Sequence, residues 1–154
     1  MALFIAITAV TGILLGWKKN FTTLQPETKN GISSDMDQWK SISAIGSAAS
    51  KALDAAGIRN NPVDRLDVRP DQGIVKVLFR DGYWEVQVDG VSGEVLSVAR
   101  RHSDWIEHIH DGSIFNEAFK LVYTNLLGIT LLTLTCTGLF LWVAPGIVRH
   151  ARNK

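Results

Sequence analysis

With 154 residues the chain has room for one domain of ordinary size, and any stretch that enters a membrane must be subtracted before a core is counted. Sixteen Lys and Arg against fifteen Asp and Glu give a formal charge of +1. The basic residues are dispersed among acids rather than gathered into a stripe, which argues against a nucleic-acid partner. Cys136 is the single cysteine, so neither an intramolecular disulfide nor a cysteine-based metal cluster can form.

The first element is the uncharged run of residues 1–17, which reads as a first transmembrane helix. At about 25 Å it is short of a typical hydrocarbon core, so either the bilayer adapts to it or the helix starts upstream. A cleaved signal peptide is the rival reading, against which stand the missing basic n-region and the missing small-x-small cleavage site. Gly12 and Gly16 form a Gly-x-x-x-Gly spacing suited to close helix packing, although Gly is also simply common in membrane helices.

Residues 18–38 show no period of 2 or 3.6 and read as a linker without order. Trp39, Ile42, Ile45, Ala49, Ala52, Leu53 and Ala56 then recur at helical spacing, with Asp35 or Asp37 as the expected cap and Gly57 as the stop. Four strand signals follow at 63–69, 74–80, 83–89 and 94–100, separated by turn residues. Alternation places Leu66 and Val68, then Val75, Val77 and Phe79, then Trp84, Val86 and Val88, then Leu96 and Val98 on common faces. The expected fold class is α+β: an amphipathic helix packed on one side of a four-stranded antiparallel meander, flanked by two transmembrane helices.

Residues 101–120 contain His102, His108 and His110 and are expected to form a short interfacial helix capped by Ser103 and ended at Gly112. His108 and His110, at i and i+2, point to different sides of a helix and make no ready chelate. A divalent-metal site drawing on Glu107, His108, His110 and Asp111 is the functional reading of this cluster, with interfacial hydrogen bonding as its bland rival. Residues 121–148 form the second transmembrane helix, carrying Asn125 and a side of Thr130, Thr133, Thr137 and Gly138 that could pack against another helix. Residues 149–154 are a basic tail, placed in the cytoplasm together with the N-terminus, which sets the central domain outside.

The passage Gly82-Tyr83-Trp84-Glu85-Val86-Gln87-Val88-Asp89-Gly90-Val91-Ser92-Gly93-Glu94-Val95-Leu96, preceded by a helix and two strands, resembles the PepSY domain over residues 39–100. That domain's hallmark is a strand, an Asp-containing turn with Gly and a Glu-Val-Leu-like return strand. With Thr-Gly-Ile-Leu-Leu-Gly-Trp in the first hydrophobic run and Thr-Gly-Leu-Phe-Leu-Trp in the second, the whole chain resembles PepSY-associated transmembrane proteins of bacteria.

The resemblance implies two functions. One is a non-enzymatic module anchored in the bacterial inner membrane, its domain periplasmic, which binds or regulates a partner protein such as an envelope peptidase. The other is a component of a haem-dependent iron-reduction or electron-transfer system, because larger relatives resemble haem-bearing reductases with histidines as axial ligands. His110 is the position that best matches such a ligand. The chain has no histidine before His102, and His150 is a helix length away, so a second ligand would have to come from another copy or a partner. Neither a Gly-x-Ser-x-Gly elbow nor a Gly-rich phosphate loop is present, and Cys136 at lipid depth is a poor thiolate.

Overall fold

A computed structural model describes the backbone of residues 2–152 and the side chains of residues 2–144. The side chains of the basic tail, His150 among them, lie outside the described residues. Four helices and four strands follow one another as α1 (Ala2–Gly16), α2 (Ile42–Ala55), β1 (Val63–Arg69), β2 (Ile74–Phe79), β3 (Trp84–Asp89), β4 (Val95–Arg100), α3 (His102–Asp111) and α4 (Glu117–Arg152). They divide into two compact units, one of residues 14–106 and one of residues 1–13 with 107–154.

The larger unit is α+β. Its strands pair antiparallel in the order β1-β2-β3-β4, the meander that short turns between consecutive strands produce. Helix α2 lays Ile45, Ala49 and Leu53, none more than 1% exposed, on Val75, Val77, Phe79, Val86 and Val88. Its cap is Ser41, whose hydroxyl accepts from the Ala44 N–H, and not the expected Asp35 or Asp37. Asp35 instead caps a separate single turn at Met36–Gln38, because the chain turns again at Trp39 before the longer helix can start. A register shift in the β3–β4 pairing sets Val95, not Leu96, opposite Val88, so β4 does not keep the strict alternation read from its sequence.

A sheet covered on one side was the expectation; both of its faces are covered. Residues 24–33, taken above for an unordered linker, cross the second face as an extended strap. From its start to its end the strap is tied down by hydrogen bonds. The Leu24 carbonyl accepts from Ser103 N–H at 2.8 Å, the Lys29 N–H donates to Gln87 Oε1 at 2.8 Å, and Gln87 Nε2 returns a bond to the Glu27 carbonyl at 3.0 Å. Further along, Gly31 N–H donates to the Gln72 carbonyl at 2.7 Å and Ile32 N–H to Asp89 Oδ2 at 2.6 Å. A strap without side-chain periodicity can hold because it uses its backbone groups, which every residue carries. Gly31 is required there: a Cβ would stand 2.1 Å from the Gly73 carbonyl oxygen.

In the smaller unit α4 begins at Glu117, four residues before the expected start, since Asn116 Oδ1 caps it by accepting from Phe119 N–H at 2.7 Å. Its backbone continues as a helix through position 145 to Arg152. Glu117–Ala144 is long and apolar enough to cross a membrane, with 6% of its most apolar window buried inside the chain. Helix α1 is also apolar but has only 15 residues.

Candidate functional sites

Among the described residues no group of three or more His, Cys, Asp or Glu side chains gathers to hold a metal ion. The chemistry-bearing side chains form two other constellations, one in each unit.

The first centres on His110. Its Nδ1 lies 2.9 Å from Thr11 Oγ1, and Thr11 is the one buried residue of α1. Thr11 has one hydroxyl proton, and the Ile7 carbonyl takes it at 2.7 Å. With that proton on the Ile7 carbonyl, the hydroxyl oxygen accepts from an Nδ1–H, the tautomer of the neutral ring that leaves the lone pair on Nε2. Gly12 makes the approach possible, because a Cβ there would stand 3.2 Å from His110 Cε1. Two residues chosen from sequence for different reasons, Gly12 for helix packing and His110 for ligation, thus meet at one contact. Gly16 and Gly138 have open space where a side chain would be. Thr137 bonds the Thr133 carbonyl of its own helix at 2.8 Å, and Thr130 and Thr133 do the same one turn back.

Ser103, the expected cap of α3, is fully buried in its first turn. At the other end Gly112, at φ +78°, passes so close to Tyr123 that a Cβ would stand 2.9 Å from the ring. Asp111 binds Lys120 at 2.8 Å and the Ser113 N–H at 2.9 Å. Burial pushes its carboxyl up, but those hydrogen bonds outweigh burial and hold it at about 2. Tyr123 packs edge-on against Phe4 and stacks on Phe119, and its hydroxyl lies 2.7 Å from Thr8 Oγ1.

The second constellation is the strap-covered face of the sheet. Lys76, Glu85, Gln87 and Asp89 are each no more than 3% exposed. Glu85 stands between two cations, Lys76 Nζ at 3.5 Å and Arg101 Nη1 at 3.3 Å, and accepts from Gln87 Nε2 at 2.8 Å. Arg101 continues the chain of charge to Asp104 at 3.1 Å, and Lys76 donates to Thr28 Oγ1 of the strap at 2.7 Å. Asp89, the acid of the turn motif, accepts from Ile32 N–H and Ser92 N–H, both at 2.6 Å, and so joins the strap to the β3–β4 turn. Burial pushes its carboxyl up, yet these N–H donors hold it below the ordinary value of 3.8.

Sequence reading missed this network because Lys76, Glu85, Gln87 and Asp89 alternate with apolar residues, the same pattern that a solvent-facing side would show. The signal available was the concentration of three polar groups on the single strand β3. Thr11 was missed because a threonine in an apolar helix ordinarily bonds its own backbone.

No curated protein matches the chain. The family model described as PepSY-associated TM region matches residues 1–153. A four-stranded α+β unit carrying the Asp89 turn, continued by a membrane-length helix, is in keeping with that match, and the chain belongs to the PepSY-associated TM family.

Proposed function

We propose that the chain is a non-enzymatic, membrane-anchored PepSY module that binds or regulates a partner protein, an envelope peptidase being the specific candidate. In this reading α1 and α4 both span the bacterial inner membrane and hold the α+β unit in the periplasm. The observation that carries it is the Glu117–Ala144 segment, a predominantly apolar helix of 28 residues that the chain leaves almost wholly uncovered, in a member of a membrane-associated family. Support for partner binding comes from β4, which pairs only with β3 and leaves an edge to which a peptide strand could add. Photo-crosslinkers placed at exposed Val95 and Glu94 test this reading in living cells. Capture of one discrete protein is expected, and capture of none, from either position, would refute it.

A second reading, a haem-dependent iron-reduction or electron-transfer component, is favoured by one observation. His110 Nδ1 lies 2.9 Å from Thr11 Oγ1, and with the ring proton on Nδ1 this is the arrangement in which a ligating imidazole presents Nε2 to a metal. In this reading His110 is one axial ligand, and a second copy or a partner subunit would supply the other. When bound, haem would provide one-electron chemistry, while Thr11 and Gly12 would orient the ring. A Soret band after haem-replete expression, lost in His110→Ala, is the expected result; its absence removes this reading and leaves the first intact.

A further inference from the structure

A cavity of about 390 Å³ opens in the α+β unit, bounded by Lys19, Thr22, Gln25, Glu27, Arg69 and Lys76. Its size falls among those of small-molecule sites, roughly 300–1,000 Å³. Three of these six side chains are cationic and one is acidic, and that acid is already taken: the Glu27 carboxylate is 71% exposed and bound by Lys29 at 3.2 Å. Cationic side chains therefore outnumber acidic ones in the lining itself. Lys76 is the fixed element of the lining, held on one side by Thr28 and on the other by Glu85, whereas Lys19 and Arg69 are exposed, and Arg69 is paired with Asp67 at 3.7 Å, a half-exposed contact that an anion could share. Gln25 adds a different demand. Its side-chain oxygen is buried and accepts no hydrogen bond, so the group that completes it must be a donor. A bare phosphate dianion would satisfy the cations and leave Gln25 unmet. A carbohydrate or polyol would satisfy Gln25 and leave the cations unmet.

We infer that this cavity binds a phosphate ester bearing a free hydroxyl, of the phosphoglycerol kind. Its anionic oxygens meet Lys19, Arg69 and Lys76, and its hydroxyl donates to Gln25 Oε1. Such a group reaches the cavity either as the headgroup of phosphatidylglycerol or as free glycerol phosphate. The position of Lys19 bears on the first source. It lies three residues beyond the end of α1, beside Trp17 and Phe21, whose rings are 6.2 Å apart and each more than half exposed. Tryptophan and lysine in that order are the residues a membrane border favours.

The test uses the full chain, purified in detergent and stripped of lipid. Native mass spectrometry measures retention of phosphatidylglycerol against phosphatidylcholine, and calorimetry measures binding of glycerol 3-phosphate and of methyl phosphate, which lacks the hydroxyl. Selective retention of phosphatidylglycerol, or binding of glycerol 3-phosphate, is expected, each weakened about tenfold by Arg69→Gln and again by Lys19→Gln. Gln25→Leu should abolish the preference for glycerol 3-phosphate over methyl phosphate while leaving methyl phosphate binding in place. Which of the two ligands binds tells the source. Equal retention of all lipids with no binding of either phosphate would overturn the site, as would binding that survives the Lys19→Gln, Arg69→Gln double variant unchanged. Because the soluble ligand needs no bilayer, a chain that binds it yet washes off membranes would sink the proposed anchoring and leave the cavity standing.

Discussion

Thr11 has a single hydroxyl proton, and when the Ile7 carbonyl takes it the oxygen is left to accept from His110 Nδ1–H. Replacing Thr11 by Val keeps the shape and removes the acceptor, so the ring loses its reason to hold the proton on Nδ1. The expected outcome in Thr11→Val is a shift of the ring nitrogen NMR signals toward the Nε2–H form, with a stability loss of about 1–3 kcal/mol for the unmet donor. Unchanged signals would mean that Thr11 does not set the ring. Gly12→Val should do mechanically what Thr11→Val does chemically: the 3.2 Å approach to His110 closes and the ring must move. Asp89 makes the same kind of argument through pH. Its folded carboxyl titrates below 3.8, so the stability it contributes is fully present above the unfolded value and disappears as pH falls through the lower, folded one. Hydrogen exchange at the Ile32 and Ser92 amides should therefore be slow and flat above about pH 4, once corrected for intrinsic rates, and accelerate below it. In Asp89→Asn one of the two amides should lose protection at neutral pH while the other keeps it, since a carboxamide offers one acceptor oxygen where two are used.

At the scale of elements, what could be read in advance was what burial dictates. The α2 stripe of Ile45, Ala49 and Leu53 and the apolar sides of β2 and β3 follow from period alone, and all reappear in the core. The strap did not, because its attachment is a backbone property and the sequence of residues 24–33 advertises only Pro26 and Gly31. Its partners are the side chains of β3, and Gln87 is the central one, donating to one peptide of the strap and accepting from another two residues on. Gln87→Leu removes both bonds at once. Trypsin should then cut after Lys29 about fivefold faster than in the parent chain, a factor corresponding to roughly 1 kcal/mol of lost attachment. A cleavage rate that does not change would show the strap to be held elsewhere. Glu85→Leu probes the charge chain beneath it and should cost more, about 3–5 kcal/mol, because Lys76 and Arg101 would be left buried without their shared anion. Of the histidine cluster, the sequence supplied the residue and not its environment: His110 stood out by type, while Thr11, its partner, is 99 residues away in the chain and looked like any membrane threonine.

For the whole molecule the decisive quantity is the surface of α4. From Glu117 to Ala144 its length is about 42 Å, more than the roughly 30 Å of a hydrocarbon core, so it can cross with tilt to spare. Its hydroxyls do not oppose this. Thr130, Thr133, Thr135 and Thr137 each donate to the carbonyl four residues back, and Asn125 does so with its amide, so each of these side chains spends a donor on its own helix. Leu132, near the middle of the segment and 66% exposed, is where the bilayer would be thickest around it. Arg at that point costs about 2.5–3.5 kcal/mol on an insertion scale, enough to shift a marginal helix out of the membrane. Carbonate extraction of cells expressing Leu132→Arg should therefore release a fraction of the chain that the parent retains, whereas Ser47→Arg, on the exposed side of α2, should change nothing. The side of the membrane can be read from the same preparation. In a Cys136→Ser background, a cysteine placed at Ser47 should react with a maleimide that cannot cross the inner membrane, provided the outer membrane has been opened. Reaction only after the inner membrane is also broken would put the α+β unit in the cytoplasm, turn the basic tail outward and require a partner from the other compartment.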